Sequence, residues 1–271
     1  MKFDMGQAWR EAVAMISANR EVMLIVSGVF FFLPSLAAVL LIPEMQPPAG
    51  QDSEQIQQFL ADFYVDNAPY FIAMAIIQTI GLLALLALLR DDSKPTVGDA
   101  LKIGLTGLLP YIGTQLIVAF AIALVALLLI AVPAASGVAA LTLVFGLIAV
   151  IVFVYVMIRL SLTLPVIAIE KQFNPLAVLR RAWQLTKGAA LSLFAFYALL
   201  IVVFVVISLV ASMIVGIPVA LLGPGTAAQI ASGIVSGVIG AAGTMIFAAV
   251  LAAVHRQLAG PSAGRLSETF E

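Results

Sequence analysis

AALTLVFGLIAVIVFVYVMIRLSLTLPVI, residues 139–167, carries one charged side chain, Arg159, in a run otherwise dominated by aliphatic and aromatic residues. A helix needs roughly 20 mostly apolar residues to cross about 30 Å of hydrocarbon, and this stretch is long enough. Five further runs meet the same requirement: Val22 to Ile42, Tyr70 to Leu89, Leu108 to Val132, Leu191 to Val215 and Ile230 to Val254. With 63% hydrophobic and 10% charged residues among 271, and a mean hydropathy of +1.17, the chain falls outside the soluble globular class. The runs lack two-residue alternation and are too long for barrel strands, so their backbone groups must be satisfied within helices. The expected fold class is all-α, a polytopic membrane protein of six transmembrane helices.

Threaded as six spans, the chain puts all thirteen of its Lys and Arg residues on one side. Lys2, Arg10 and Arg20 precede span one; Arg90, Lys94 and Lys102 lie between spans two and three; Arg159, Lys171, Arg180, Arg181 and Lys187 surround the junction of four and five; Arg256 and Arg265 follow span six. Short loops rich in cations stay in the cytoplasm, so the expected setting is the bacterial inner membrane with both termini cytoplasmic. Residues 1–260 form one six-span domain and 261–271 a cytoplasmic tail. The first segment reads as uncleaved, because Asp4, Glu11 and Glu21 interrupt it and no small-residue cleavage site follows Ile42. A net charge of −1 conceals a dipolar chain, since the first outer loop carries Glu44, Asp52, Glu54, Asp62 and Asp66 without a cation; these carboxylates keep that loop solvated. With no cysteine there is no disulfide, thiolate nucleophile or sulfur-ligated metal centre.

A short amphipathic segment precedes each pair of spans, which suggests three helix-plus-hairpin repeats with three interfacial helices at the cytoplasmic face. In the first, Met5, Trp9, Ala12, Val13 and Ile16 share one face and Gln7, Arg10, Glu11 and Ser17 the other. The second opens at Thr96 with Asp99 three residues on, a capping-box spacing. The third opens at Asn174-Pro175, an N-cap followed by the residue best tolerated at the first helical position. Its apolar arc is Leu176, Val178, Leu179, Ala182, Trp183 and Leu185, opposite Arg180, Arg181, Gln184 and Lys187. Trp9, Arg10, Arg180, Arg181, Trp183 and Lys187 are the expected contacts to anionic headgroups; a purely topogenic anchoring role is the alternative.

Polar groups inside the spans are few. Arg159 signals either a partner or pathway, or a side chain that snorkels to cytoplasmic phosphates. Pro165, which lacks a backbone donor, should bend or end span four, letting Glu170 meet a cation, either Arg159 or a neighbour on the Arg180 helix. Gln78 and Gln115 are read as interhelical hydrogen-bonding groups or as lining for a substrate path. Span six carries two small-residue rows, Ser232/Ser236/Gly240 and Gly233/Gly237/Ala241, suited to close packing against span five, which offers Ser208, Ala211 and Ser212, or against another subunit. His255, the single histidine, sits at the exit of span six, where a cation complements the helix dipole. No His pair, carboxylate–histidine cluster, Gly-rich phosphate loop or serine elbow is present, so no catalytic residue, metal ligand or cofactor is expected.

The stretch from Val154 to Lys187, with Arg159, Pro165, Glu170, Asn174-Pro175, Arg180-Arg181-Ala182-Trp183 and Leu185-Thr186-Lys187-Gly188, resembles the membrane domain attached to some glycerophosphoryl diester phosphodiesterases. In that family an Arg, a Pro, a Glu and an Ala-x-x-x-Ser/Ala-Trp-x-Leu-Thr-Lys-Gly-like run recur before the next span. Ala182 stands where the family often has Ser. The resemblance implies six spans but no hydrolysis, which in the fused proteins belongs to a separate barrel of about 250 residues. A non-enzymatic protein that handles lipids or a small amphiphile is the expected function, transporter-like or lipid-organising. The alternative is a membrane-anchored assembly factor or regulator that recruits a partner through its cytoplasmic helices. Expected partners are membrane lipids with anionic headgroups, with a second copy or another protein as the alternative, and no nucleic acid.

Overall fold

A computed structural model of the chain describes residues 3–42, 52–90, 96–221 and 225–260. Lys2, Glu44, Lys94, Arg265 and the expected tail 261–271 lie outside the described residues. Eleven α-helices follow in order among the described residues: α1 (Met5–Ser27), α2 (Leu33–Leu41), α3 (Ser53–Asp66), α4 (Ala68–Leu88), α5 (Val97–Ala126), α6 (Val132–Ala135), α7 (Ala139–Arg159), α8 (Thr163–Ala168), α9 (Pro175–Leu185), α10 (Ala190–Leu221) and α11 (Thr226–Ala259). Six helical segments are long and apolar enough to cross a membrane, Met5–Leu41, Ala68–Leu88, Val97–Ala135, Ala139–Ala168, Ala190–Val219 and Thr226–Ala259.

The first and third of these segments are joined across single π turns, Gly28–Phe32 and Leu127–Ala131. Each π turn ends two residues before a proline, Pro34 and Pro133. Proline removes a donor and crowds the carbonyl four residues back; widening the preceding turn so that Leu33 N–H reaches Gly28 O and Val132 N–H reaches Leu127 O relieves that crowding. Span five has its own proline, Pro218, near the same end. One proline at this place in each odd-numbered span is the clearest trace of a threefold repeat.

The three amphipathic segments behave differently. The first is continuous with its span, bent only at Asn19 (φ −122°, ψ 17°), whose amide donates to Met15 O at 2.9 Å. The second runs unbroken into span three behind the expected cap, in which Thr96 Oγ1 accepts from Asp99 N and Asp99 Oδ2 from Thr96 N. Only the third, α9, stands as a separate helix. The sequence provides the break: after Thr186 the chain passes through Gly188 at φ +83°, a left-handed position that glycine takes without a Cβ clash.

The core is lopsided. Ala8, Ala12 and Met15 of α1, Leu83–Leu89 at the end of α4, Val166–Ala168 of α8, Val178, Ala182 and Leu185 of α9, and Ala248–Val254 of α11 form one buried cluster. All lie at the end of the bundle that bears the cations. Here Asp4 N donates to Gln257 Oε1 at 3.1 Å and the Gln257 amide donates back to Asp4 O, tying the start of α1 to the end of α11. The row of α1 that is buried differs from the expected face. Small Ala8 and Ala12 with Met15 meet the alanines of α11, while Trp9 and Val13 are left exposed, because close backbone approach excludes a bulky ring. At the opposite end α7, α10 and the far half of α5 expose their apolar side chains.

The acidic loop after span one also contains a helix the sequence reading did not assign. Asp52 caps α3 in a full capping box with Gln55, and Phe59, Phe63, Tyr64 and Phe71 stack at its junction with α4. Of the two rows on α11, Gly233, Gly237 and Ala241 are buried. A Cβ at Gly233 would lie 3.2 Å from Val39 Cβ and one at Gly237 2.9 Å from Phe32 Cδ2. Span one is therefore the partner of this row. Ser232, Ser236 and Gly240 face outward and are exposed, so the packing expected of that second row is not made within the chain.

Candidate functional site

The site grows from the place where span four stops being a helix. α7 ends at Arg159, and Leu160–Leu162 form turns before α8, so the last α7 carbonyls need partners from outside. Thr186, fully buried after α9, supplies one: its Oγ1 lies 2.9 Å from both Arg159 O and Ala182 O, so its single proton is shared between them. That hydroxyl fixes α9 against the end of span four. The expected bend is thus present, a few residues ahead of Pro165.

Arg159 has partners, but they are aromatic rings rather than a carboxylate. It is 3% exposed and so does not snorkel, and its ion pair with Glu170 is not formed. The guanidinium carbon instead lies 4.4 Å from the Trp183 ring centroid and 5.9 Å from that of Tyr155. The two rings meet edge to face at 5.9 Å. Arg159 Nε has no hydrogen-bond partner; the aromatic faces are what compensate for burial of the charge.

Glu170 meets the neighbour on α9. Arg181 Nε donates to both of its carboxylate oxygens, at 3.1 and 2.9 Å. From α11, His255 Nε2 approaches Oε1 at 2.9 Å, and because an ionised carboxylate only accepts, that ring nitrogen carries the proton. Burial alone would raise the Glu170 pKa. The hydrogen bonds from His255 and Arg181, with their charges, outweigh it and hold the carboxyl down at about 2. Lys171, next in the chain, has φ +55°, which reverses the backbone toward Asn174. The Asn174 side chain then accepts from Leu176 N and Ala177 N to start α9.

His255 is the member that sequence reasoning passed over. Its side chain is 6% exposed, which a dipole-complementing surface cation would not be. The signal was in the carboxylate: Glu170 is the only Asp or Glu between Asp99 and Glu268, so a buried histidine anywhere near it had one acid to find. Gln78 is half-buried and Gln115 exposed, and among the described residues neither makes a hydrogen bond, so the expected interhelical bridges are not seen. Trp9, Arg10, Arg180 and Lys187 are exposed. No group of three or more His, Asp or Glu side chains that could hold a metal ion occurs among the described residues.

Beside this junction lies an apolar hollow of about 610 Å³ between α5 and α7, lined by residues such as Ala121, Val125, Phe153 and Val156 and closed at one end by Arg180 and Trp183 of α9. A second, shallower depression of about 530 Å³ follows α9 over Asn174, Ala177, Arg180, Arg181 and Gln184. Comparison with protein-family models, with curated proteins and with solved structures finds no match to this chain.

Proposed function

We propose that the chain is a non-enzymatic protein of the bacterial inner membrane, with both termini cytoplasmic, that handles lipids or a small amphiphile. On the resemblance of Val154–Lys187 we group it with the membrane domains of glycerophosphoryl diester phosphodiesterases, without their catalytic barrel. The observation that carries the lipid reading is α9. This helix turns Val178, Ala182 and Leu185 into the core while leaving Arg180 and Trp183 exposed at the boundary between apolar and charged surface. A cation and an indole at that level suit a phosphate headgroup above an acyl chain. Purified protein reconstituted in vesicles should accelerate exchange of a fluorescent phospholipid between leaflets. Vesicles no faster than protein-free ones, from protein that also retains no lipid through purification, would end this reading.

The orientation rests on the one-sided cations. Reporter fusions should give cytoplasmic signals at residues 95, 172 and 265 and periplasmic ones at 55 and 135; inversion at two of them would sink it. A second reading, an assembly factor or regulator, is favoured by one feature: none of the most apolar window of α10 is buried within the chain, which leaves that stretch of the span open to a protein partner.

A further inference from the structure

The two hollows beside α9 share one residue, and the surroundings of that residue assign an occupant. With about 100° between successive positions of a helix, α9 presents four sectors in turn around its axis. Val178, Ala182 and Leu185 enter the core; Leu179 and Trp183 line the apolar hollow; Leu176 and Arg180 follow; Ala177, Arg181 and Gln184 border the second depression, which Leu176 and Arg180 also line. Arg180 thus stands where the two hollows meet and brings a cation to the edge of the apolar one.

The two arginines of this helix are not equivalent. Arg181 spends its charge on Glu170. Arg180 is exposed and forms no hydrogen bond or ion pair among the described residues. Nearby, the amide groups of Asn174 and Gln184 are further donors, since Asn174 uses only its oxygen in capping α9. We propose that this is a binding site for a phospholipid of net negative charge, with one acyl chain between α5 and α7 and the phosphate on Arg180. The proposal rests on the lipid-handling reading and names the lipid class and its seat.

In a bilayer the tail contributes shape but little preference, because it leaves one hydrocarbon environment for another. Selectivity must then come from the headgroup. A volume of about 610 Å³ lies in the ordinary range of small-molecule sites, and one cation near an anionic surface corresponds to about a fivefold preference.

The test uses the full chain in detergent, with phosphatidylglycerol and phosphatidylcholine of identical tails added in competition and the retained lipid counted by native mass spectrometry. Wild type should retain phosphatidylglycerol about fivefold over phosphatidylcholine. Arg180→Gln should abolish that preference while still retaining lipid, Ala121→Phe should lower retention of both by filling the hollow, and Lys102→Gln, an exposed cation of α5 outside both hollows, should behave as wild type. Should Ala121→Phe not fold, Arg180→Gln, at an exposed position, carries the test alone. A preference lost equally in Arg180→Gln and Lys102→Gln, or unchanged in Arg180→Gln, overturns the site and leaves the lipid reading standing. Retention of neither lipid by wild type overturns both. A dimer that Ala121→Phe dissociates would give the hollow to a second copy of the chain and overturn the proposal.

Discussion

At the end of the bundle that bears the cations, Leu83 to Leu89 of α4 and Ala248 to Val254 of α11 are almost wholly buried in protein, and the Glu170 cluster closes over them. At the other end, α10 presents Ile201, Val205 and Leu209 to its surroundings with more than 45% of each exposed. Composition does not distinguish the two ends, since both are aliphatic. What differs is the neighbour. At the first end an apolar side chain is fitted against other side chains, where a missing methyl leaves a void; at the second it meets a medium that can rearrange around it.

The largest test of that contrast is truncation. Leu85→Ala, at 0% exposure, should cost about 2–5 kcal/mol, whereas Leu209→Ala, 59% exposed, should stay within about 0.5 kcal/mol, both read as reversible unfolding in mixed micelles. A loss at Leu209 as large as at Leu85 would mean that the α10 face is covered in the working protein. Next is acid. The Glu170 pKa is depressed from 4.5 to about 2, so its contribution is fully present above pH 4.5 and is lost as pH falls through about 2. Solvent screens this partly exposed group, so its contribution is about 2 kcal/mol, below what the whole shift would give. Glu170→Gln should remove that pH dependence between pH 4.5 and 2; an unchanged acid profile would show that other carboxylates carry it.

Much of this molecule could be read from its letters. Six spans, the caps at Thr96 and Asn174, the bend near Pro165 and a cation for Glu170 all follow from local rules that need only neighbouring residues. What could not be read depended on which helices meet. Nothing local distinguishes Gly233, where an added Cβ would meet Val39, from Gly240, where one would meet nothing within 4 Å. His255 and Glu170 are 85 positions apart, and only the meeting of α8 and α11 joins them. Arg159 illustrates the same limit: its depth was correctly read as costly, but an aromatic pair, one ring of it on another helix, compensates for the charge in place of phosphate or carboxylate. The separate identity of α9, by contrast, was written locally in Lys187-Gly188, while the first two segments lack such a break.

Glycines sharpen the comparison at smaller cost. A Cβ at Gly104 of α5 would fall 2.6 Å from the carbonyl oxygen of Ile80, which is backbone and cannot swing aside; at Gly146 of α7 nothing lies within 4 Å. Gly104→Ala should therefore force α4 and α5 apart and lose about 1–3 kcal/mol. Gly146→Ala should gain up to about 1 kcal/mol from helix propensity. Equal effects of the two substitutions in thermal unfolding would refute the close approach of α4 and α5.

The smallest expected effect concerns Arg159, buried beside the well-packed end. Arg159 lies over Trp183 at 4.4 Å, and Trp183 is 38% exposed, so the attraction is partly screened and should be worth about 1 kcal/mol. Single truncations would mix this term with lost packing, because the arginine stem and the indole both fill space. A double-mutant cycle of Arg159→Met and Trp183→Leu separates them, because the packing that each replacement loses by itself cancels in the cycle and leaves the pairwise coupling. Coupling of about 1 kcal/mol is expected in that cycle. The parallel cycle of Arg159→Met with Glu170→Gln should be additive to within about 0.5 kcal/mol, because Glu170 has its partners in Arg181 and His255. Stronger coupling to Glu170 than to Trp183 would return Arg159 to the carboxylate and remove the aromatic cage from the account of how α9 is seated.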